Sequence, residues 1–118
     1  MQLEDIRTMA TALPEVEEQP HFGRPAFRVR DRLFVSVHMD EDDPFAIVHV
    51  DPTDAATAVQ DQPDALDEVW RTHGSERIFV GLRIQLSQLS PERCQDLIER
   101  AWRHRAPARL AASYDDER

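Results

Sequence analysis

The stretch IFVGLRIQL, residues 78–86, decides the fold class of this 118-residue chain. Apolar side chains stand at every second position of it: Ile78, Val80, Leu82, Ile84 and Leu86. Because successive side chains of a strand point to opposite faces of a sheet, this alternation predicts a strand that buries one face. Sheets with one covered face are typical of antiparallel architectures. We therefore expect an antiparallel sheet with its helices on one side.

The segment upstream of that strand supplies its partners. Residues 26–38 alternate in the same way and predict a β-hairpin that turns at residues 30–32. Residues 45–50 form the next predicted strand, after the acidic loop 40–44. The segment 21–23 lies between two prolines, which are excluded from central strands, so we expect a brief edge strand there.

Helices are predicted at three places. Residues 3–13 carry apolar side chains at helical spacing. Asp51-Pro52 and Ser90-Pro91 each combine an N-cap residue with a proline in the first helical position. The buried stripe of the last helix is expected to consist of Cys94, Leu97, Ile98, Ala101 and Trp102. The spacing of Leu66, Val69 and Trp70 indicates a further helical turn within residues 62–74.

The order of these elements is α-β-β-β-β-α-β-α. The connections between the early strands are too short for parallel crossovers. The sequence thus predicts an α+β fold, a small antiparallel sheet with helices packed on one face. We expect a single domain over residues 1–110 and a frayed tail over residues 111–118.

Composition narrows the range of functions. The formal charge is −9, and all 14 basic residues are Arg, so chemistry that depends on a lysine amine is excluded. The single Cys94 cannot form an internal disulfide. The N-terminus is acidic and no apolar run approaches the length of a membrane span, so we expect a cytoplasmic protein without a membrane partner. An acidic chain binds DNA only through local basic patches.

The chain resembles the MmcQ/YjbR-like family. The resemblance rests on five segments, LPEVEE (13–18), HFGRPAFRV (21–29), LFV (33–35), FVGL (79–82) and AWRHRAP (101–107). It implies a fold similar to the frataxin-like CyaY arrangement, and it implies DNA binding through hairpins described as a double wing. Family members usually have Gly and Lys in the first hairpin turn; Asp31-Arg32 stands here, and Asp tolerates the left-handed conformation.

Arginine is concentrated in two segments of this acidic chain, 21–37 and 93–109, each with a net charge of +3. If the hairpin and the C-terminal helix lie side by side, their guanidinium groups form a patch that binds phosphates or carboxylates. The alternative is that each of them pairs with a surface carboxylate. The candidate nucleic-acid or anion-binding residues are Arg24, Arg28, Arg30, Arg32, Arg103 and Arg105.

His21, Phe22 and Gly23 are the candidate pocket residues, because they combine a titratable ring, an aromatic side chain and a glycine that permits close approach. The alternative is a purely structural motif. His38 and His49 become cross-strand neighbours if the loop 40–44 is a hairpin tip. No metal-binding spacing accompanies them, so neither a metal nor a cofactor is expected.

The sequence contains no catalytic motif, and we expect a protein without enzymatic activity. Cys94 lies on an apolar helix stripe and is expected to be an inert core thiol. Trp70 and Trp102 are both expected in the core. Two functions remain. The first is DNA binding through the Arg-bearing hairpin and the C-terminal helix. The second is binding of a protein, a second copy of the chain or a small ligand, without DNA binding.

Overall fold

The computed structural model of the chain describes residues 1–117. Its elements are α1 (Leu3–Thr11), β1 (Val16–Glu18), β2 (Ala26–Val29), β3 (Arg32–His38), β4 (Phe45–Val48), α2 (Pro52–Asp61), β5 (Leu66–His73), β6 (Glu76–Gln85), α3 (Pro91–Arg105) and α4 (Ala108–Asp116). The six strands form one antiparallel sheet in the order β1-β2-β3-β4-β6-β5. The α+β fold predicted from the sequence is confirmed.

The long strand β6 is the one predicted from the alternating stretch. It pairs with β5 from Glu76 to Ile84, which is all but its last residue, and with β4 only from Leu82 to Gln85. The tip of the β5–β6 hairpin therefore extends past β4. We call residues 70–79 the projecting hairpin.

One face of the sheet carries the core. Phe27, Val35, Val48 and Leu82 form a single cross-strand row, and all four are fully buried. The helices cover this face, and α3 contacts it with its predicted stripe, all five members of which are buried. The opposite face, which we call the open face, carries the alternate residues, among them Ser36 opposite Ile47.

Local geometry confirms the predicted turn and caps. Arg30 and Asp31 have φ values of 48° and 68°, so the β2–β3 hairpin turns through two left-handed residues, as two-residue hairpin turns of the mirror type require. The Asp51 carboxylate accepts a hydrogen bond from the Asp54 amide at 2.8 Å, and the Ser90 hydroxyl accepts one from the Arg93 amide at 3.2 Å.

The prediction of an edge strand at residues 21–23 is wrong. The edge strand is β1, and residues 21–24 form a tight turn in which the backbones of His21 and Arg24 bond to each other at 2.9 and 3.1 Å. Phe22 and Gly23 have φ values of 52° and 76°, and left-handed residues cannot continue a strand.

Two further expectations are corrected. The segment around Leu66, Val69 and Trp70 is the edge strand β5 and not a helical turn. Most of β5 is exposed, so the period-two alternation that marks a half-buried strand is missing there. The tail, expected to fray after Leu110, continues as α4 to Asp116, where Tyr114 packs edge-on against Trp102 with the ring centroids 5.1 Å apart.

Candidate functional site

Carboxylates neutralise half of the predicted arginine patch. Arg24 bonds to both oxygens of Asp40 at 3.2 Å, and Arg30 bonds to both oxygens of Glu15 at 2.6 and 3.0 Å. Arg103 pairs with Glu99 at 2.8 Å and with Asp115. These three guanidinium groups are therefore engaged in ion pairs on the surface and do not form a free basic face.

The other half of the patch behaves differently. Arg28 donates to the Nδ1 atom of His21 at 3.3 Å, and Arg105 donates to the Nδ1 atom of His49 at 3.2 Å. Arg32, whose charge acts on Arg105, forms no ion pair within residues 1–117. Two of the predicted arginines thus contact two of the five histidines in place of carboxylates.

These two histidines line a pocket of about 220 Å³ on the open face. Leu33, Ile47 and Val80 supply its apolar wall, and Ser36 and three histidines supply polar atoms. The lining residues are His21, Phe22, Arg24, Leu33, Ser36, His38, Ile47, His49 and Val80. We call this cavity the open-face pocket.

The sheet explains why these residues meet. Period-two alternation places Ser36 on the open face and Val35 on the core face, and the register sets Ser36 opposite Ile47. The β2–β3 register shifts after Phe27, so that Arg28 faces Leu33, and Phe34 is the extra residue of β3. Leu33 thereby joins the pocket while Phe34 remains fully buried in the core.

The predicted pocket residues lie at its rim. The turn 21–24 carries His21 and Phe22 to the pocket, and the Phe22 ring is 87% exposed and packs edge-on against His21 at 4.5 Å. Gly23 lines a neighbouring groove with Pro25, Val37 and Met39 rather than this pocket. Of the three predicted pocket residues, His21 and Phe22 line this cavity and Gly23 does not.

His38 and His49 both line the pocket without being direct cross-strand partners. His38 is opposite Phe45, and their rings stack with centroids 4.5 Å apart and planes 11° apart. His49 follows the end of β4, and its amide bonds to the carbonyl oxygen of Phe34. The period-two pattern of β3 was the signal that put Ser36 and His38 on one face.

Burial favours the neutral form of both histidines. Burial lowers the pKa of His49 to about 4, and the positive charge of Arg105 acts in the same direction. Burial also lowers the pKa of His38, with a further contribution from Arg24, although Asp40 and Glu41 oppose it. The Nε2 atom of His38 lies 3.2 Å from the Ser36 hydroxyl.

Two other surface features are less suited to binding a ligand. A larger groove of about 410 Å³ lies beside β1, but the Arg30–Glu15 ion pair lines it with charge of both signs. In the part of the chain that the structure describes, no group of three or more His, Cys, Asp or Glu side chains is arranged to hold a metal ion.

Within residues 1–117, no helix is long and apolar enough to cross a membrane.

The projecting hairpin carries an exposed aromatic cluster, contrary to the prediction from the sequence. Trp102 is fully buried as expected, but Trp70 is 39% exposed, so its assignment to the core is wrong. The Arg77 guanidinium lies 4.6 Å from the centre of the Trp70 ring, and Phe79 packs edge-on against the same ring at 5.2 Å. Because β5 is the last strand of the sheet, no further strand within residues 1–117 lies on the outer side of Trp70.

Comparison with known proteins gives a family and a fold. The sequence model of the YjbR family matches residues 11–104. The crystal structure of Deinococcus radiodurans protein DR2400, which carries a DUF419 domain, is similar with a TM-score of 0.65 and 17% sequence identity. That match covers 86% of this chain and 75% of the other, and at this identity it shows the fold alone. No curated protein sequence matches the chain.

Proposed function

The chain belongs to the YjbR family, and we propose that it is a non-enzymatic domain that binds a small organic molecule in the open-face pocket. The observation that carries this proposal is the make-up of the pocket. One apolar wall faces a set of convergent polar groups, which is the usual composition of a small-molecule site. The pocket volume of 220 Å³ equals that of roughly seven water molecules at about 30 Å³ each. A ligand of that volume has one ring and a substituent.

The absence of enzymatic activity is part of the proposal. The Ser36 hydroxyl and the His38 ring are within hydrogen-bond distance, as a nucleophile and its base must be. Within residues 1–117, however, no carboxylate hydrogen-bonds the other ring nitrogen of His38 to orient it. Ser36 also lies inside a strand paired on both sides, which leaves few backbone amides to stabilise an oxyanion. The pair is therefore better suited to binding than to acyl transfer.

NMR titration of the ¹⁵N-labelled full-length chain with small neutral and anionic aromatic compounds tests the proposal. We expect amide shift changes confined to β3, β4 and the turn 21–24. The variant Ile47→Phe narrows the pocket and should abolish the response, whereas Ile78→Phe makes the same change on the projecting hairpin and should preserve it. Failure of all compounds to shift the pocket amides would overturn the proposal.

Nucleic-acid binding is a second proposal, and the exposed Trp70 beneath Arg77 favours it. Bases stack on exposed aromatic rings with a contribution of about 1–3 kcal/mol each. Arg71 and Arg77 form no carboxylate ion pair among the described residues, so their charges are available to phosphates. The contact would then be made by the projecting hairpin, because Arg24, Arg30 and Arg103 are held by carboxylates.

Fluorescence anisotropy with a single-stranded oligonucleotide at about 50 mM salt tests this second proposal. Binding should weaken steeply as salt is raised and should be lost in Trp70→Ala. Phe22→Ala removes an exposed aromatic ring elsewhere and should leave the affinity unchanged. A titration without any anisotropy change, or equal binding by Trp70→Ala, would exclude the projecting hairpin as a nucleic-acid site.

A further inference from the structure

The positive charge around the open-face pocket is only partly compensated, because Asp40 pairs with Arg24 while Arg28 and Arg105 form no ion pair within residues 1–117. The chain has 23 acidic residues, yet among the residues that the structure describes no Asp or Glu lines the pocket. Arg24 is part of the lining, and the side chains of Arg24 and Asp40, which form an ion pair, are both partly accessible to solvent. Arg28 and Arg105 stand directly behind His21 and His49. In a protein of net charge −9, this is a local excess of cations on one cavity.

Arg105 shows that excess most clearly. Its side chain is partly buried, and its Nε atom is buried without a hydrogen-bond partner among the described residues. Burial lowers the pKa of Arg105, and the like charge of Arg32 lowers it further. A charge removed from water is destabilising unless an opposite charge or enough hydrogen bonds accompany it. The only side-chain acceptor that Arg105 has within residues 1–117 is the neutral ring of His49. An anion in the adjacent pocket would supply the missing charge.

The arginines also fix which ring nitrogen carries the proton. A guanidinium group has donors and no acceptor, so the Nδ1 atoms that receive Arg28 and Arg105 must be unprotonated. In this hydrogen-bond arrangement the rings of His21 and His49 carry their proton on Nε2. For His21, no described residue bonds to that Nε2–H group, so it is free to donate to a ligand oxygen.

We propose that the ligand of the open-face pocket is a small organic anion, a carboxylate on a flat apolar body, recognised by His21 and balanced in charge by Arg28 and Arg105. This inference rests on the proposed small-molecule function and specifies its ligand class. The apolar body lies against Leu33, Ile47 and Val80, beneath the Phe22 ring. The carboxylate lies at the histidine end, where it accepts from the Nε2 atom of His21.

The test compares sodium benzoate with benzyl alcohol, a neutral compound of similar shape, by NMR titration of the full-length chain near pH 7. We expect benzoate to bind about tenfold more tightly or better, because charge-assisted hydrogen bonds are roughly twice as strong as neutral ones. Sodium phosphate, an anion without an apolar body, should not shift the pocket amides.

Two variants locate the charge. Arg28→Gln and Arg105→Gln should each weaken benzoate binding and leave benzyl alcohol binding unchanged, and Arg28→Gln remains informative if the more buried Arg105→Gln fails to fold. Arg109→Gln removes an exposed arginine of α4 as a matched control and should change neither affinity. Unchanged benzoate binding by Arg28→Gln and any folded Arg105→Gln would overturn the assigned charge partners.

The outcomes separate the two proposals. Equal binding of benzoate and benzyl alcohol would overturn the anion inference while supporting a small-molecule site. Pocket shifts with phosphate equal to those with benzoate would overturn the organic body of the ligand. Pocket shifts with neither aromatic compound would overturn the small-molecule function itself and the ligand class with it.

Discussion

The indole Nε1 of Trp102 donates a hydrogen bond to the carbonyl oxygen of Pro14, 3.0 Å away, and so ties α3 to the loop between α1 and β1. Trp102 is fully buried, and it belongs to the stripe of α3 that faces the sheet. The bond satisfies the polar atom of the largest core side chain and a backbone carbonyl at the same time. It fixes the chain direction at the entry to the sheet.

Replacing this indole should therefore destabilise the whole fold. In Trp102→Phe the core loses volume and the Pro14 carbonyl loses its partner, and we expect a fall of about 2–4 kcal/mol in the free energy of unfolding. Urea denaturation followed by circular dichroism measures it. Trp70→Phe, on the projecting hairpin, is the control and should change stability by less than about 1 kcal/mol. Equal losses for the two variants would contradict the assigned role of Trp102.

Much of this architecture could be predicted because its signals are local. The alternation in β6, the left-handed turn at Arg30-Asp31 and the caps at Asp51 and Ser90 all depend on residues close together in sequence. The edge strand β5 escaped prediction because it is exposed on both faces for most of its length. Its strand character comes from pairing with β6 and not from its own pattern.

The candidate site was only partly predictable for a related reason. Ser36 and His38 share a face by period two, but the contact between Arg105 and His49 joins positions 56 residues apart. The sequence shows where the arginines are concentrated, but it does not show which of them pair with a carboxylate. That choice depends on tertiary distances, as Arg30 with Glu15 and Arg28 with His21 illustrate.

The buried His49 should make stability dependent on pH. Its pKa is lowered from 6.5 to about 4 in the folded chain, so the unfolded chain binds a proton at higher pH than the folded one. The stability associated with neutral His49 is complete above about pH 6.5 and is lost as the pH falls through about 4. This single group should contribute a loss of about 3 kcal/mol across that window.

Urea unfolding at a series of pH values checks that expectation. In His49→Gln the ring is absent, so the decline between pH 6.5 and 4 should be shallower than in the parent chain. The lowered carboxyl pKa values of Glu15, Glu18 and Asp40 cause acid destabilisation in both proteins and cancel in the comparison. Parallel pH profiles for the parent and the variant would show that His49 has the same pKa in the folded and the unfolded chain.

Gly81 should tolerate no side chain. A Cβ atom built at this position would lie 2.6 Å from the carbonyl oxygen of Val48, where β4 and β6 approach each other. Since that oxygen belongs to a paired strand, relief requires the sheet to shift, and we expect Gly81→Ala to reduce stability by about 1–3 kcal/mol. Gly74→Asn serves as the control, because Gly74 has a φ of 65°, open space around it and a replacement that accepts this conformation. A thermal melt of Gly81→Ala that matches the parent would refute the close approach.

Cys94 should be inert in the folded chain and reactive after unfolding. Its thiol is fully buried in the α3 stripe, and burial raises its pKa to about 12, so near pH 8 only roughly one thiol in ten thousand is ionised. Because the thiolate is the reacting species, iodoacetamide should label the native protein hardly at all, and labelling should follow the unfolding equilibrium as urea is added. Mass spectrometry of timed samples measures the labelled fraction, with Cys94→Ala as the blank. Rapid and complete labelling in the absence of urea would mean that an accessible thiolate exists in the folded state and that Cys94 is a nucleophile rather than part of the core.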